Sequence, residues 1–435
     1  MDHQRERTGP GSGPVLARAR STTAGAAISL FADADPPSVY WSSPHGTTLA
    51  AAGVAAEIRT EGTTWTQAVR EWADEVYRGI EYQGPTPARP RILGATAFDP
   101  ERSPDDVWRP FPRAWYSLPE TQVTESEGNA WITRVNEGSA TAGRTDRLPD
   151  GDAEERDRLP GVCGRTPVIP EDEWYGCVSR IRAGIREDTY AKVVLANGLS
   201  VTLEEPPDTA ALVRQLEAMN PNCYVTVAQP APDTSFAAAT PERLVRTNGS
   251  AIHSDALAGS FPRGNSPGAE ERFATELVQS GKETHEHDLV VEAIVNSLEE
   301  VGASVDVGER SIHRVHAVQH LRTPIRGTHE GLPHVLRVVD KVHPTPAVAG
   351  IPRDRAIEAI RDIESFDRGW YAAPIGWFDR AGDGEFAIGI RSAAFRGAEG
   401  RLFAGAGIVE DSDPQEEWDE LQLKYRSMLD AFAEE

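Results

Sequence analysis

The chain has 435 residues, 39% of them hydrophobic, and sets 44 basic against 68 acidic side chains for a net charge of -24. That length can bury a large core and suggests about two to three domains. No apolar run approaches the roughly 18 residues of a membrane span, and so acidic a surface repels nucleic acid and anionic lipid, so neither is expected as a partner. The early arginines (Arg5, Arg7, Arg18, Arg20) precede no apolar stretch, unlike a secretory signal. Cys163, Cys177 and Cys223 are scattered and lack zinc spacing, so a reducing cytoplasm is the expected compartment. Acidic surfaces of this kind also suit halophile cytosols, where salt screens self-repulsion, and a halophilic source is a further expectation.

Residues 1–26 are rich in Gly, Ser, Thr and Arg without apolar periodicity and read as a disordered tail. From 27 to 138 the pattern is mixed. An amphipathic helix is expected over Thr64 to Tyr77, with Trp65, Ala68, Val69, Trp72 and Val76 on one side, and strands over Arg91–Phe98, Ala114–Leu118 and Ala130–Val135. Residues 139–168 are polar and aperiodic and read as a flexible insertion. The stretch 169–435 opens with a helix to about Ile185, followed by the apolar strand Tyr190–Ala196. Strands follow around Tyr224–Val227, Ser235–Ala239, Leu244–Arg246 and Ile252–Leu257, then helices at Glu270–Gln279 and His285–Val301. Further strands fit Arg314–Gln319, Tyr371–Phe378, Phe386–Ile390 and Leu402–Ile408, with helices at Pro333–Val342 and Asp354–Ile363. Runs of strands broken by helix pairs argue α+β. At the C-terminal end Asp411-Ser-Asp-Pro414 opens a last helix, on which Glu417, Glu420 and Lys424 share a face.

Lysine is scarce. The four lysines are Lys192, Lys282, Lys341 and Lys424, against 40 arginines. An amine can lose its proton when desolvated whereas a guanidinium cannot, so a retained lysine invites a chemical reason. Lys192 lies in an apolar strand, where a neutral amine could take a proton from water; a strand-end lysine snorkelling to solvent is the plain alternative. Glu242, at a turn-to-strand junction in TPERL, could serve as a general acid if desolvated, or stand exposed. The Gly-Ser turn at Ser260 could approach a ligand. Glu283, Glu286 and His287 in KETHEHDLVV could reach an oxygen-coordinated ion, although the spacing is not the zinc pattern HExxH. Tyr371 and Arg391 fall near strand ends, and the Arg391 fork could grip a carboxylate or a structural acid. Gly405 and Gly407 precede the last helix, whose carboxylates could hold a metal or simply pair with Lys424.

Individually weak, these signals gain weight from their order. KVVLA at Lys192, TPERL at Thr240, LAGS at Leu257, KETHEHDLVV at Lys282 and VQHLRTPIRG at Val318 occur in series with HPTPAVAG at His343, AIGIRSA at Ala387 and AGAGIVEDSDPQEEWDELQLK ending at Lys424. From about Glu171 to Leu429 the chain thereby resembles the chorismate-utilising enzymes: isochorismate and salicylate synthases, anthranilate synthase component I and aminodeoxychorismate synthase. RILGATAFDP and WYSLPE extend the resemblance loosely to the N-terminal part.

The resemblance implies an α+β fold of two stacked halves, with large antiparallel sheets and flanking helices, and a chorismate-binding catalytic domain over 169–435. It implies Mg2+ held by Glu286 and Glu420 with Glu417 in the outer shell. Gly405, Gly407 and Lys424 would steady the ring carboxylate, and Tyr371 and Arg391 the enolpyruvyl carboxylate. Lys192 would activate water for attack at C2, Glu242 would protonate the departing C4 hydroxyl, and His343 and Ser260 would lie beside the ring. Ammonia-using members lack the lysine, so the expected activity is an isomerase, isochorismate synthase, serving menaquinone or siderophore synthesis. Salicylate synthase is the runner-up, and a non-catalytic chorismate-binding protein the rival from another class. A monomer without a glutamine amidotransferase partner is expected. Asn197 and Asp255 depart from the usual pattern.

Overall fold

The computed structural model describes residues 6–8, 15–135, 158–264, 266–316 and 318–432. Among these, strands gather into two large sheets. The first runs from Ala56–Thr60 through Ala114–Leu118, Arg91–Thr96, Pro374–Asp379, Gly384–Ile388, Arg243–Asn248 and Ala251–Pro262 to Val318–His329 and Ala303–Val307. The second runs from Val162–Pro167 through Lys192–Leu203, Glu399–Ile408, Ser392–Arg396, Thr234–Thr240 and Tyr224–Ala231. It continues into Ser38–Ser42, Thr47–Ala52, Thr121–Ser126, Asn129–Val135, Val15–Thr22 and Ile80–Gln83. Pairing is antiparallel among the described strands except between Val15–Thr22 and Ile80–Gln83. Each sheet mixes early and late strands: Arg91–Thr96 pairs with Pro374–Asp379, and Ser38–Ser42 with Tyr224–Ala231. The stretches 27–138 and 169–435 are therefore interleaved rather than separate bodies.

Alternation along the strands fixes the layers. Trp115 points inward and stacks at 6.2 Å on Trp370, which meets Phe236 of the other sheet at 5.9 Å. Trp108 stacks on Phe403 at 5.4 Å, so indole and phenyl rings fill the space between the sheets. Tyr116, the next residue, points outward and stacks on Trp65 of the helix Trp65–Arg78. Helices Glu171–Arg186 and Pro414–Leu429 meet through Trp174 and Trp418. The expectation of an α+β fold with flanking helices is met.

Two expectations fail. Val15–Thr22, read as part of a disordered tail, is a strand whose inner residues Val15 and Ala17 are buried. Its alternation of apolar and polar residues is hidden by arginines at 18 and 20, which face outward. Val162–Pro167, read as insertion, pairs with Leu199–Leu203; the rest of the supposed insertion, through residue 157, lies outside the described residues. The strand from Lys192 runs on to Leu203 and the helix expected from His285 begins at Gly281, with Ser280 accepting a hydrogen bond from the Glu283 amide. The strand expected over Arg314–Gln319 is instead two, Ser311–Arg314 and Val318–His329.

Candidate active site

A cleft opens where the end of the second sheet meets the N-terminal turns of helices Gly281–Glu300 and Pro414–Leu429. Glu242, Gly259, Ser260, Lys282, Glu283, Glu286, His320, Tyr371, Arg391, Gly405, Gly407, Glu417, Glu420 and Lys424 face it. Lys192 sits just behind. Its β-branched neighbours hold the strand, its side chain is fully buried, and Nζ donates to Glu286 Oε1 at 2.7 Å. Gly407 makes room for this contact: a Cβ there would lie 2.9 Å from Lys192 Cε and 3.1 Å from Glu286 Oε1. The snorkelling alternative for Lys192 is thereby excluded.

One end of the cleft is crowded with carboxylates. Burial pushes the Glu417 carboxyl up to about 7, with Glu420 adding repulsion, and burial and Glu286 raise Glu283 to about 7 as well. Burial also acts on Glu286, but Lys192, Lys424 and Lys282 outweigh it and hold that carboxyl below its ordinary value. Lys424 Nζ lies 2.5 Å from Glu420 Oε1 and donates to the Gly405 carbonyl at 2.7 Å. Lys282 Nζ lies 3.5 Å from Glu417 Oε1. Three of the chain's four lysines thus meet carboxylates in this one place, while Lys341 is half exposed at 51%.

Glu242 differs from these acids. It is buried, and that burial raises its carboxyl to about 8 against the opposing pull of Lys192 and Arg391. At neutral pH it carries its proton, as a general acid must.

The other end is cationic. Arg391 is buried, has its backbone in the left-handed region (φ 51°), and pairs with no carboxylate among the described residues. Its Nε has no partner. Nη2 donates to His320 Nε2 at 3.3 Å, and the other ring nitrogen donates to the Gly259 carbonyl at 2.9 Å with Ser260 Oγ at 3.1 Å. Because that carbonyl can only accept, the proton sits on Nδ1. Burial and then Arg391 keep the imidazole neutral. Tyr371 stacks on Phe403 at 5.3 Å, and a Cβ at Gly405 would lie 2.8 Å from its hydroxyl. A buried guanidinium with an unused donor thus stands beside a neutral imidazole and a phenol, an arrangement that could accept a carboxylate.

Most of the residues singled out in the sequence converge here. His343 does not: it is half-buried, edge-on to Phe98, and only Ala347 and Val348 of its segment reach the cleft. His287 also turns away, to hydrogen-bond Thr323 Oγ1 at 2.7 Å. His320 was not anticipated as a site residue, although it stands in the quoted VQHLRTPIRG block; its role follows from a long strand that delivers it opposite the Gly259 turn. The two departing positions have structural partners. Asn197 caps Ile169 through both its amide groups, and Asp255 pairs with Arg243 and Arg322.

Stacked antiparallel sheets carrying a buried acid, a buried amine and a carboxylate socket define an acid–base enzyme for a small, multiply anionic molecule. Residues 15–433 match the family of chorismate binding enzymes, and the chain belongs to that family. It is 34% identical over 359 residues to the isochorismate synthase MenF of Bacillus subtilis, covering 80% of this chain and 75% of that one. It is 31% identical over 362 residues to the isochorismate synthase EntC of Escherichia coli, covering 83% and 84%. Among solved structures, the menaquinone-specific isochorismate synthase MenF from Escherichia coli superimposes with a TM-score of 0.79 at 27% identity, over 97% of this chain and 96% of that one. Anthranilate synthase component I from Streptococcus pneumoniae shares the fold, with a TM-score of 0.73 at 22% identity over 89% and 93%.

Proposed function

We infer that this protein is an isochorismate synthase, converting chorismate and isochorismate by water attack at C2 with loss of the C4 hydroxyl. The observation that carries this reading is Glu242, buried and held protonated to about 8 in the same cleft whose Glu286 is backed by Lys192. Water needs a base where ammonia does not, and Lys192 supports the choice among family members.

In the reaction the Arg391 end takes the enolpyruvyl carboxylate, with Tyr371 beside it. Lys192 Nζ first passes the proton of its 2.7 Å hydrogen bond to Glu286 Oε1, and the neutral amine then accepts one from the attacking water as the water oxygen bonds to C2. The ring electrons shift, the C4–O bond breaks, and Glu242 gives its proton to the departing hydroxyl, which leaves as water. Atoms balance, so the reaction is an isomerisation.

Four acids at one end of the cleft, two of them raised to about 7 by burial and neighbouring carboxylates, suit a divalent cation. Mg2+ is bound through one or two carboxylates and keeps water and substrate oxygens among its ligands. Glu286 and Glu420 would hold the ion with Glu417 behind, and it would neutralise and orient the ring carboxylate. Lys424, fixed on the Gly405 carbonyl, steadies the same end.

No ammonia is consumed, so no amidotransferase partner is called for. Among the described residues no helix is long and apolar enough to cross a membrane, and the three cysteines are unpaired, which supports a reducing cytoplasm. The charge of -24 supports a halophilic one; unfolding temperature should then rise with salt. The decisive assay incubates the protein with chorismate and Mg2+ and resolves products by chromatography. Isochorismate alone supports the reading, salicylate with pyruvate replaces it with the lyase, and ligand binding without turnover leaves a non-catalytic protein.

A further inference from the structure

The strand carrying Lys192 has one edge bonded to Glu399–Ile408 along its length. Its other edge is patched together. Lys192 and Val193 pair with Gly350–Ile351, and the Val194 amide donates to the Ala349 carbonyl at 2.7 Å. From Leu199 onward Val162–Pro167 takes over. Between these two short neighbours the strand would present bare backbone groups in the molecular interior, where an unpaired donor or acceptor is costly.

Asn197 Oδ1 accepts the Gly198 amide at 2.8 Å, and two further side chains fill the rest of the gap. Arg368 Nη2 donates to the Val194 carbonyl at 2.7 Å, and Glu364 Oε1 accepts the Ala196 amide at 2.8 Å. The pair is locked to itself, Arg368 Nε to Glu364 Oε2 at 2.9 Å and Nη2 to Oε1 at 2.6 Å. One carbonyl and one amide of the strand edge are thus met by a guanidinium and a carboxylate in place of a neighbouring strand. The remaining guanidinium nitrogen donates to the Val348 carbonyl at 2.8 Å, in the loop that lines the cleft. Phe98 lies 4.4 Å beneath the guanidinium, and the Tyr371 amide donates to the Arg368 carbonyl at 3.0 Å.

Both side chains are essentially inaccessible, at 2% and 0% exposure. A fully desolvated ion pair is a weak source of stability compared with apolar packing of the same volume, so its value here is geometric. We propose that Glu364 and Arg368 are positioning residues for the reaction: together they set the Lys192 strand edge, the Val348 loop and Tyr371 relative to one another. The pair touches neither substrate nor reacting atoms. It acts through Val194, two residues from Lys192, and through Tyr371, three residues from Arg368. A shift of a fraction of an ångström there misaligns base and substrate while leaving the binding groups in place. This inference rests on the isochorismate synthase reading for its kinetic half only.

The test compares Arg368→Lys and Glu364→Gln with the wild-type chain for Mg2+-dependent chorismate turnover, chorismate affinity by calorimetry, thermal unfolding and amide exchange. Lysine cannot supply the guanidinium fork, and glutamine cannot serve three donors. The expected result is kcat at least about tenfold lower with KM and Kd within about threefold. Exchange at the Ala196 amide should quicken at least about tenfold in Glu364→Gln, a reading that needs no turnover and so stands even if wild type makes no isochorismate. Phe98→Leu, which leaves the ion pair intact, should give a smaller kcat loss of about threefold and covers the case in which the ionic variants do not fold. Unchanged kcat in folded variants would overturn the proposal, as would losses that track unfolding temperature alone or unchanged Ala196 exchange.

Discussion

The two ends of the cleft solve opposite electrostatic problems. At the helix end, acids outnumber their lysine partners, and burial raises two of the carboxyls to about 7. At the sheet end, Arg391 is buried without an acid among the described residues and leaves Nε unpartnered, beside an imidazole that burial keeps neutral. One end is over-supplied with negative charge and suits a cation; the other is under-supplied and suits an anion. The contrast teaches that one cleft can keep unbalanced charge of both signs, with acids in excess over lysines at one end and a guanidinium without an acid among the described residues at the other.

The largest effect should come from breaking the link between the ends. Lys192→Ala leaves Glu286, half-buried at the cleft, without its 2.7 Å partner. Turnover should fall by about three orders of magnitude, with stability lower by about 1.5–3 kcal/mol for the lost charge-assisted hydrogen bond; kinetics and denaturant titration check the two parts separately. Glu242→Gln keeps shape but cannot donate to a leaving hydroxyl, so kcat should drop roughly 100-fold or more while calorimetry shows chorismate still bound. Arg391→Met probes the anionic socket. Loss of charge-assisted bonds worth about 1.5–3 kcal/mol should raise KM roughly 10- to 100-fold and change kcat less. Gly407→Ala should cost about tenfold in kcat by pushing Lys192 and Glu286 apart, read against an unchanged fold by circular dichroism. The mildest test is pH. Glu242 must be protonated to act and its carboxyl is raised to about 8, so activity is present below that value and lost above it. The rate should halve near pH 8 and then fall roughly tenfold per unit, and Glu242→Gln should abolish that limb.

Much of this was legible in the sequence because the chemistry sits on short, strongly patterned segments. The strand of Lys192 and the helix opened by Asp413 and Pro414 announce themselves by β-branched run and cap, and Asp413 does accept from the Gln415 and Glu416 amides. The scarcity of lysine drew attention to all four, of which Lys282 and Lys424 line the cleft and Lys192 lies just behind it. What stayed hidden depends on long-range pairing. Val15–Thr22 looks disordered alone and becomes a strand because Asn129–Val135 supplies its partner. His343 was placed beside the ring by the family resemblance, yet its ring packs on Phe98 and the segment reaches the cleft only at Ala347 and Val348. His320 needed the register of Val318–His329 against Ala251–Pro262, which sets it opposite Ser260. Glu364 and Arg368 stand at helix spacing, where an ordinary surface ion pair is the default reading, and only the gap in a strand edge shows their use.

The central claim is that water, activated in this cleft, becomes the C2 hydroxyl as the C4 hydroxyl leaves. Turnover of chorismate with Mg2+ in heavy-oxygen-labelled water tests it most directly, by mass spectrometry of the isolated product. The account predicts isochorismate carrying label in the hydroxyl at C2; unlabelled isochorismate, or salicylate and pyruvate as the enzymatic products, would contradict it.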